Sequence, residues 1–316
     1  DVIYVVGMEA ILSITIARLV SSLMFWNKTR PQTYIYAVSG LGNVFQYHHS
    51  YSSFLIYKLA VSTIRLSTKF VRTTWLFQSV EDKQVLESLV EAGLHSRVIG
   101  GVGVPIPKHH TAHTTERLVI MAGRIIEAKG VKDFVKVARE IKARSPGWRF
   151  IWAGAAEKES PFSFSDRSLK ELNYDSVVEF IGEVDSLDDL LNKSFVVAFT
   201  SHGEGVSKFL SEALAHQVPV IAFRVRGVKS MIADEETGLL VDKSDVPAMA
   251  AGILRIGEDE ELRARLVENG LDYAKSNLSL KKQIACNVEA IHASITSDSS
   301  WSGKRILFFV AVDWYF

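Results

Sequence analysis

The sequence predicts an α/β protein of two domains, each built on a parallel β-sheet. Three observations carry that expectation. The chain has 316 residues, enough for two domains of ordinary size. Short apolar runs rich in strand formers alternate with longer runs of helical period, which implies parallel strands joined by right-handed helical crossovers. A loop near Gly103–Thr115, with Pro105, Pro107 and three histidines, interrupts the pattern, which then restarts.

The elements follow in order. Val2–Val6 is β-branched and reads as a strand, Gly7 ends it, and Glu9–Phe25 reads as a helix. The first 26 residues are apolar, but Glu9 and Arg18 interrupt them. Each charge would cost roughly 2.5–3.5 kcal/mol near the centre of a membrane-spanning helix, so an amphipathic helix is the better reading. No signal-peptide pattern is present. Strands at Tyr34–Val38, Trp75–Gln78 and Arg97–Ile99 alternate with helices at Ser53–Phe70 and Glu81–Ala92. Beyond the loop, strands are expected at Leu118–Ala122, Arg149–Ala153, Val177–Ile181, Phe195–Thr200, Val218–Phe223 and Leu239–Val241. Helices fall between most of these, including Lys132–Ala143, Ser207–His216 and Val246–Ile256. Ser294–Ser302 is polar and reads as a linker, and a further apolar strand lies in the stretch KRILFFVAVDWYF. The expected division is 1–112, 113–293, and 294–316 as linker and extra strand. Because the chain opens on a strand at Asp1 without Met and stops after another strand at Phe316, a fragment is one reading of it.

Composition narrows the function. Hydrophobic residues make up 47% and charged residues 23%, as in a globular chain. Lys+Arg and Asp+Glu number 36 each, so no global field attracts nucleic acid and any basic site is local. The single cysteine, Cys286, allows neither an internal disulfide nor a cysteine metal site, which fits a reducing compartment.

The most informative stretch runs from Ser201 to Val241 and holds Glu204 and Glu212 in an E-x7-E spacing. Glu204 sits in the loop Ser201-His202-Gly203-Glu204-Gly205 after a strand, and Glu212 sits on the helix that follows. The start of that helix favours an anion through its free N–H groups and dipole. Eight residues of helix would separate the two acids by about 12 Å, too far for the roughly 5–9.5 Å of a glycosidase pair. They suit hydroxyl groups at two points of an extended ligand; ordinary loop and helix-surface charges are the bland alternative. A second element, MAGRIIEAKGVKDF (Met121–Phe134), puts Arg124 and Lys129 in a loop between the strand end at Ala122–Gly123 and a helix. Two cations beside a helix start can neutralise a diphosphate, and two solvated charges are the alternative. Ser39-Gly40-Leu41-Gly42 follows a strand and could line a cleft, but it lacks the third glycine of a dinucleotide loop. Gly100-Gly101-Val102-Gly103 reads as a hinge. His109, His110 and His113 have no acidic or thiolate partner at metal-ligand spacing and read as loop. His202 could touch a ligand or be a plain loop residue, and Lys58, Arg65 and Lys69 on an apolar-patterned helix suit either a membrane surface or solvent.

Taken together, GRIIEAKG, EGVSKFLSEALAHQVPVIAF, RGVKSMI and ETGLLV occur in the order found in retaining GT-B glycosyltransferases of the GT4 family, and the chain resembles that family. SGLGNVF, FQSVEDK and GVGVP resemble the acceptor-side half of the family's bacterial surface-polysaccharide enzymes. The resemblance covers most of residues 1–290 and implies two Rossmann-like domains facing a cleft. It implies that Arg124 and Lys129 hold the donor diphosphate beside Gly123, and that Glu204 faces the donor sugar. Backbone amides of Gly205, Val206 and Ser207 would approach sugar and phosphate, and Glu212 would bind the ribose. Ser39 and Gly40 would lie on the acceptor side. The implied reaction is hexosyl transfer with retention from a nucleotide-diphosphate sugar, a UDP-sugar being the expected donor, to a glycan or lipid-linked acceptor in polysaccharide biosynthesis. No metal or other cofactor is implied. The catalytic set is Glu204, Arg124 and Lys129, the two cations stabilising charge on the leaving diphosphate. A cytoplasmic enzyme follows, in peripheral contact with the inner face of the membrane.

Some features depart from the family. Gln217 stands where glycine is common, WAGAAEK replaces a more glycine-rich turn, and the family's opening strand and glycine loop do not precede Asp1. The N-terminal domain is therefore expected to be partial. KRILFFVAVDWYF resembles that opening strand; it reads as the start of a neighbouring similar protein in frame, in preference to a permuted strand returning to the sheet. Two other functions fit the same residues: a non-catalytic nucleotide-sugar binder, and a sugar-nucleotide epimerase or phosphorylase on a similar scaffold.

Overall fold

The structure is a computed structural model that describes residues 2–24, 33–41, 51–70, 73–90, 94–108, 116–156, 163–296 and 306–310. The chain forms two compact units, Asp1–Gly101 with Gln283–Phe316, and Val102–Lys282. Gly42, His109, His110 and His113 lie outside the described residues.

The first unit begins β1 (Val2–Val6), α1 (Met8–Met24), β2 (Thr33–Val38), α2 (Tyr51–Phe70), β3 (Thr73–Phe77), α3 (Val80–Val90) and β4 (Ser96–Val98). The second runs β5 (Leu118–Ala122), a 3-10 turn at Glu127–Lys129, α4 (Val131–Arg144), β6 (Arg149–Ala153), α5 (Asp166–Leu172), β7 (Glu179–Gly182) and α6 (Asp188–Lys193). It continues β8 (Val196–Phe199), α7 (Lys208–Ala215), β9 (Val220–Phe223), β10 (Leu239–Val241), α8 (Val246–Glu258) and α9 (Glu260–Tyr273). The chain returns to the first unit in α10 (Leu280–Thr296) and ends its described part in β11 (Ile306–Val310). Among the described residues, no helix is long and apolar enough to cross a membrane.

The first unit corrects the expectation of a partial N-terminal domain. Its five strands pair in parallel in the order β11-β1-β2-β3-β4. Successive side chains of a strand point to opposite faces, and here both faces are filled. Ile3, Val5, Tyr34, Tyr36, Trp75 and Phe77 enter one core with Ile11, Ile64 and Leu86 from α1, α2 and α3. Val2, Tyr4, Ile35, Ala37 and Leu76 enter a second core with Ala290 of α10. The second face is thus covered by a helix from the far end of the chain. The expectation rested on the family's opening strand and glycine loop not preceding Asp1, but the sheet takes an edge strand, β11, and a covering helix, α10, from the far end of the chain. At the sheet edge, β11 runs beside β1 in register from Val2↔Ile306 to Val6↔Val310.

The second unit is a six-stranded parallel sheet in the order β10-β9-β8-β5-β6-β7. Its central strands are buried on both faces, which is why they read as continuous apolar runs rather than alternating ones. The strand order reverses between β5 and β8. From β5 the chain winds outward through β6 and β7, then crosses back to β8 and winds the other way. A crevice opens at the carboxyl ends of two strands where crossovers diverge in this manner, and such switch points are where open α/β sheets bind ligands.

Candidate active site at the switch point of the second sheet

The loops that leave β5 and β8 are stitched together. His202 N donates to Ala128 O (2.8 Å), and Thr200 Oγ1 donates to Lys129 O (3.2 Å). Gly130 sits in the left-handed region at φ 74°, and a Cβ there would stand 1.9 Å from Thr200 O. Only glycine lets the two loops approach so closely.

This contact brings two sequence-predicted residues together. Lys129 Nζ forms an ion pair with Glu204 Oε1, with the side chains 21% and 17% exposed. Ser201 Oγ donates to the same carboxylate oxygen (2.8 Å). Gly123, at φ 152°, lies beneath the lysine stem; a Cβ on it would touch Lys129 Cδ at 3.7 Å. Its own peptide is fixed from both sides, Gly123 N donating to Ala153 O (2.9 Å) and Trp152 Nε1 donating to Gly123 O (2.8 Å). Arg124 follows at the strand end, exposed to solvent.

Gly205 and Val206 complete the loop, and Ser207 caps α7: its Oγ accepts from Leu210 N (3.3 Å). α7 therefore starts at Lys208, so the helical rise that the sequence reading drew across all eight residues applies only to its second half. Glu212 lies one turn into α7, 18% exposed, and pairs with Lys208 (3.3 Å) on its own helix. Ser39 and Gly40 follow β2 in the first unit, where a Cβ on Gly40 would meet open space.

Two further residues, Gly227 and Asp133, shape the loop without having been picked out by sequence reasoning. Gly227, at φ 81°, follows β9, and a Cβ there would lie 2.1 Å from Gly205 O and 2.3 Å from Glu204 O. The motif RGVKSMI contains this glycine, but nothing local indicates that it faces residues more than twenty positions upstream. Asp133, on the first turn of α4 and 6% exposed, accepts from His202 Nε2 (2.8 Å) and Ser244 Oγ (3.1 Å). Burial pushes its carboxyl pKa up, but hydrogen bonds from His202 and Ser244, with the charges of His202 and Lys136, more than offset this and leave it below the ordinary value. Among the described residues, no cluster of His, Cys, Asp and Glu could hold a metal ion.

Two parallel-stranded α/β units, the second with its switch point between β5 and β8, define the class: the fold is GT-B, that of nucleotide-sugar-dependent glycosyltransferases related to GT4 enzymes. Residues 105–272 match the family described as "Glycosyl transferases group 1", and the chain belongs to that family. It is 28% identical over 172 residues to the capsular polysaccharide biosynthesis glycosyltransferase CapM of Staphylococcus aureus, covering 54% of this chain and 45% of that protein. It is 31% identical over 169 residues to the alpha-D-kanosaminyltransferase of Streptomyces kanamyceticus, covering 51% and 42%. The matched stretch thus spans under half the length of these two curated relatives.

Solved structures match over much more of the chain. Sucrose-phosphate synthase from Thermosynechococcus elongatus superposes with a TM-score of 0.76 at 19% identity, over 94% of this chain and 74% of that one. Anabaena Alr3699/HepE in complex with UDP-glucose gives 0.72 at 17% identity, over 94% and 79%. Coverage of 94% takes in the N-terminal unit as well as the family-matched region, in keeping with the two filled faces of its sheet.

Proposed function

We propose that the switch-point site of Val102–Lys282 binds a nucleoside-diphosphate sugar, with a UDP-sugar as the donor. The protein then transfers the sugar, with retention, to a glycan or lipid-linked acceptor in polysaccharide biosynthesis. The observation that carries this reading is the meeting of Lys129 with Glu204 across two loops that diverge at the carboxyl ends of β5 and β8. The diphosphate belongs with Lys129 and Arg124, the sugar hydroxyls with Glu204, and the ribose with Glu212. The amides of Gly205, Val206 and Ser207, ahead of the N-terminus of α7, suit the sugar and phosphate oxygens. On the acceptor side the reading assigns Ser39 and Gly40.

The chemistry needs no protein nucleophile. As the bond between the sugar and the diphosphate breaks, negative charge grows on the leaving phosphate. A phosphate oxygen on the same face takes the acceptor's proton, and the acceptor oxygen attacks from that face, so the anomeric configuration is retained. Two cations held in place beforehand stabilise that growing charge more than the ground state, which is the condition for catalysis. Such donors and acceptors place the enzyme on the cytoplasmic side, in peripheral contact with the membrane.

Calorimetry with UDP and with uridine tests the donor site. Loss of a charge-assisted hydrogen bond worth about 1.5–3 kcal/mol weakens binding about 10- to 100-fold. Lys129→Ala is expected to lose that much affinity for UDP and little for uridine; equal losses for both would remove the phosphate role. Incubation with a UDP-sugar with and without a glycan acceptor, read by NMR at the anomeric carbon, tests transfer. A β-configured product from an α-donor, or turnover that needs no acceptor, would refute it.

A further inference from the structure

We infer that Asp133 is a positioning residue for the loop Thr200–Ser207, acting through His202 and fixing that imidazole as the tautomer protonated on Nε2. This rests on the donor-site reading only for its functional meaning; the geometry stands without it. A carboxylate is costly to bury unless its lone pairs are filled, and Asp133 is 6% exposed. It is compensated by groups from two other strand-end segments and by its own helix. His202 lies after β8, Ser244 lies between β10 and α8, and the carboxylate itself is on the first turn of α4, where the helix dipole favours negative charge. Lys136 contributes a more distant charge, 3.9 Å from Oδ1.

The tautomer follows from the chemistry of the pair. An ionised carboxylate only accepts hydrogen bonds, so at 2.8 Å the proton between the two groups belongs to His202 Nε2. In the neutral ring, Nδ1 is then an acceptor. A carboxylate that fixes both ring orientation and tautomer of a site histidine is a recurring positioning device. His202 is held at two further points: its amide N donates to Ala128 O (2.8 Å), and its ring lies 6.2 Å from that of Phe223. Two residues later the same loop presents Glu204. Asp133 thereby sets the place of the residue that pairs with Lys129.

The test needs no ligand, so its outcome is independent of whether UDP binds. In protein carrying 15N-labelled histidine, the His202 ring at neutral pH is expected to be protonated on Nε2, and Asp133→Asn is expected to give a mixture of tautomers. Hydrogen exchange of the 200–207 amides should speed up at least tenfold in Asp133→Asn and His202→Phe. Exchange in β6 should not change, and His202→Gln, whose amide can still donate to Asp133, should restore protection. A wild-type ring protonated on Nδ1 alone would overturn the inference. So would unchanged exchange of the loop in His202→Phe, a variant that keeps Asp133 and can be read even if Asp133→Asn does not fold.

Discussion

Lys129 and Glu204 satisfy each other's charge, and this gives the pair an unusual mutational signature. A diphosphate arriving at Lys129 competes with the carboxylate already there. Removing that carboxylate's charge frees the ammonium for phosphate while leaving the sugar a neutral amide oxygen in place of a charged, stronger acceptor. Glu204→Gln should therefore bind UDP as tightly as wild type or a few-fold more tightly, and bind a UDP-sugar about tenfold more weakly, one strong hydrogen bond being worth about 1.4 kcal/mol. Calorimetry with both ligands decides it, and parallel losses would mean that Glu204 does not oppose Lys129. Asp133 makes a different prediction, in pH. Its folded-state pKa is lowered, so its contribution to stability is fully present above the ordinary carboxylate pKa of about 3.9 and is lost as pH falls through the lower folded value. Asp133→Asn should cost stability at pH 7 yet show a shallower decline than wild type below about pH 4. Urea midpoints at pH 7 and pH 3 measure both; a decline as steep as that of wild type would show that Asp133 is not the titrating group.

Among elements, the strands were the most legible because burial on both faces leaves its mark in the residue types themselves. Val2–Val6, Leu118–Ala122, Arg149–Ala153 and Leu239–Val241 fall as read from the sequence. The short polar helices α5 and α6 were harder: Asp166–Leu172 and Asp188–Lys193 bury little and carry almost no apolar period. Lys129 and Glu204, 75 residues apart, could be proposed as partners because both follow strand ends, where parallel sheets gather their loops. Asp133 and His202, 69 residues apart, could not, since Asp133 between Lys132 and Phe134 looks like one more charge on an amphipathic helix. Gly227 is the element-scale case. Its left-handed backbone and its approach to two carbonyls, at 2.1 and 2.3 Å from a hypothetical Cβ, leave no room for alanine. Gly227→Ala must push the β9 loop away from Glu204 and Gly205. It is expected to weaken UDP-sugar binding about tenfold or more while leaving the far-UV circular dichroism of the folded protein unchanged; wild-type affinity would show that the two loops can separate without consequence for the site.

For the whole molecule, the informative point is how the first unit draws on both ends of the chain. α10 supplies Ala290 to one of its two cores, and β11 pairs with β1 along five residues. A reading made strictly along the chain assigns α10 to the second domain, because covalent neighbours say nothing about which sheet face a distant helix covers. The edge strand offers a direct test. Without β11, the outer N–H and C=O groups of β1 lose their partners while Val2, Ile3, Tyr4 and Val5 still need burial. A chain lacking residues 304–316 should therefore lose amide protection in β1 and β2 by about tenfold or more, the equivalent of at least 1.4 kcal/mol of local stability. Protection in β5, β6 and β8, which form a separate sheet, should stay at its wild-type level. Since Gly123, Lys129, Glu204 and Glu212 all belong to that second sheet's unit, UDP affinity should survive the deletion as well. Unaltered protection in β1 would mean that the β11 pairing contributes nothing to the first unit, whereas loss of protection in β5 and β8 together with β1 would mean that the two units unfold as one.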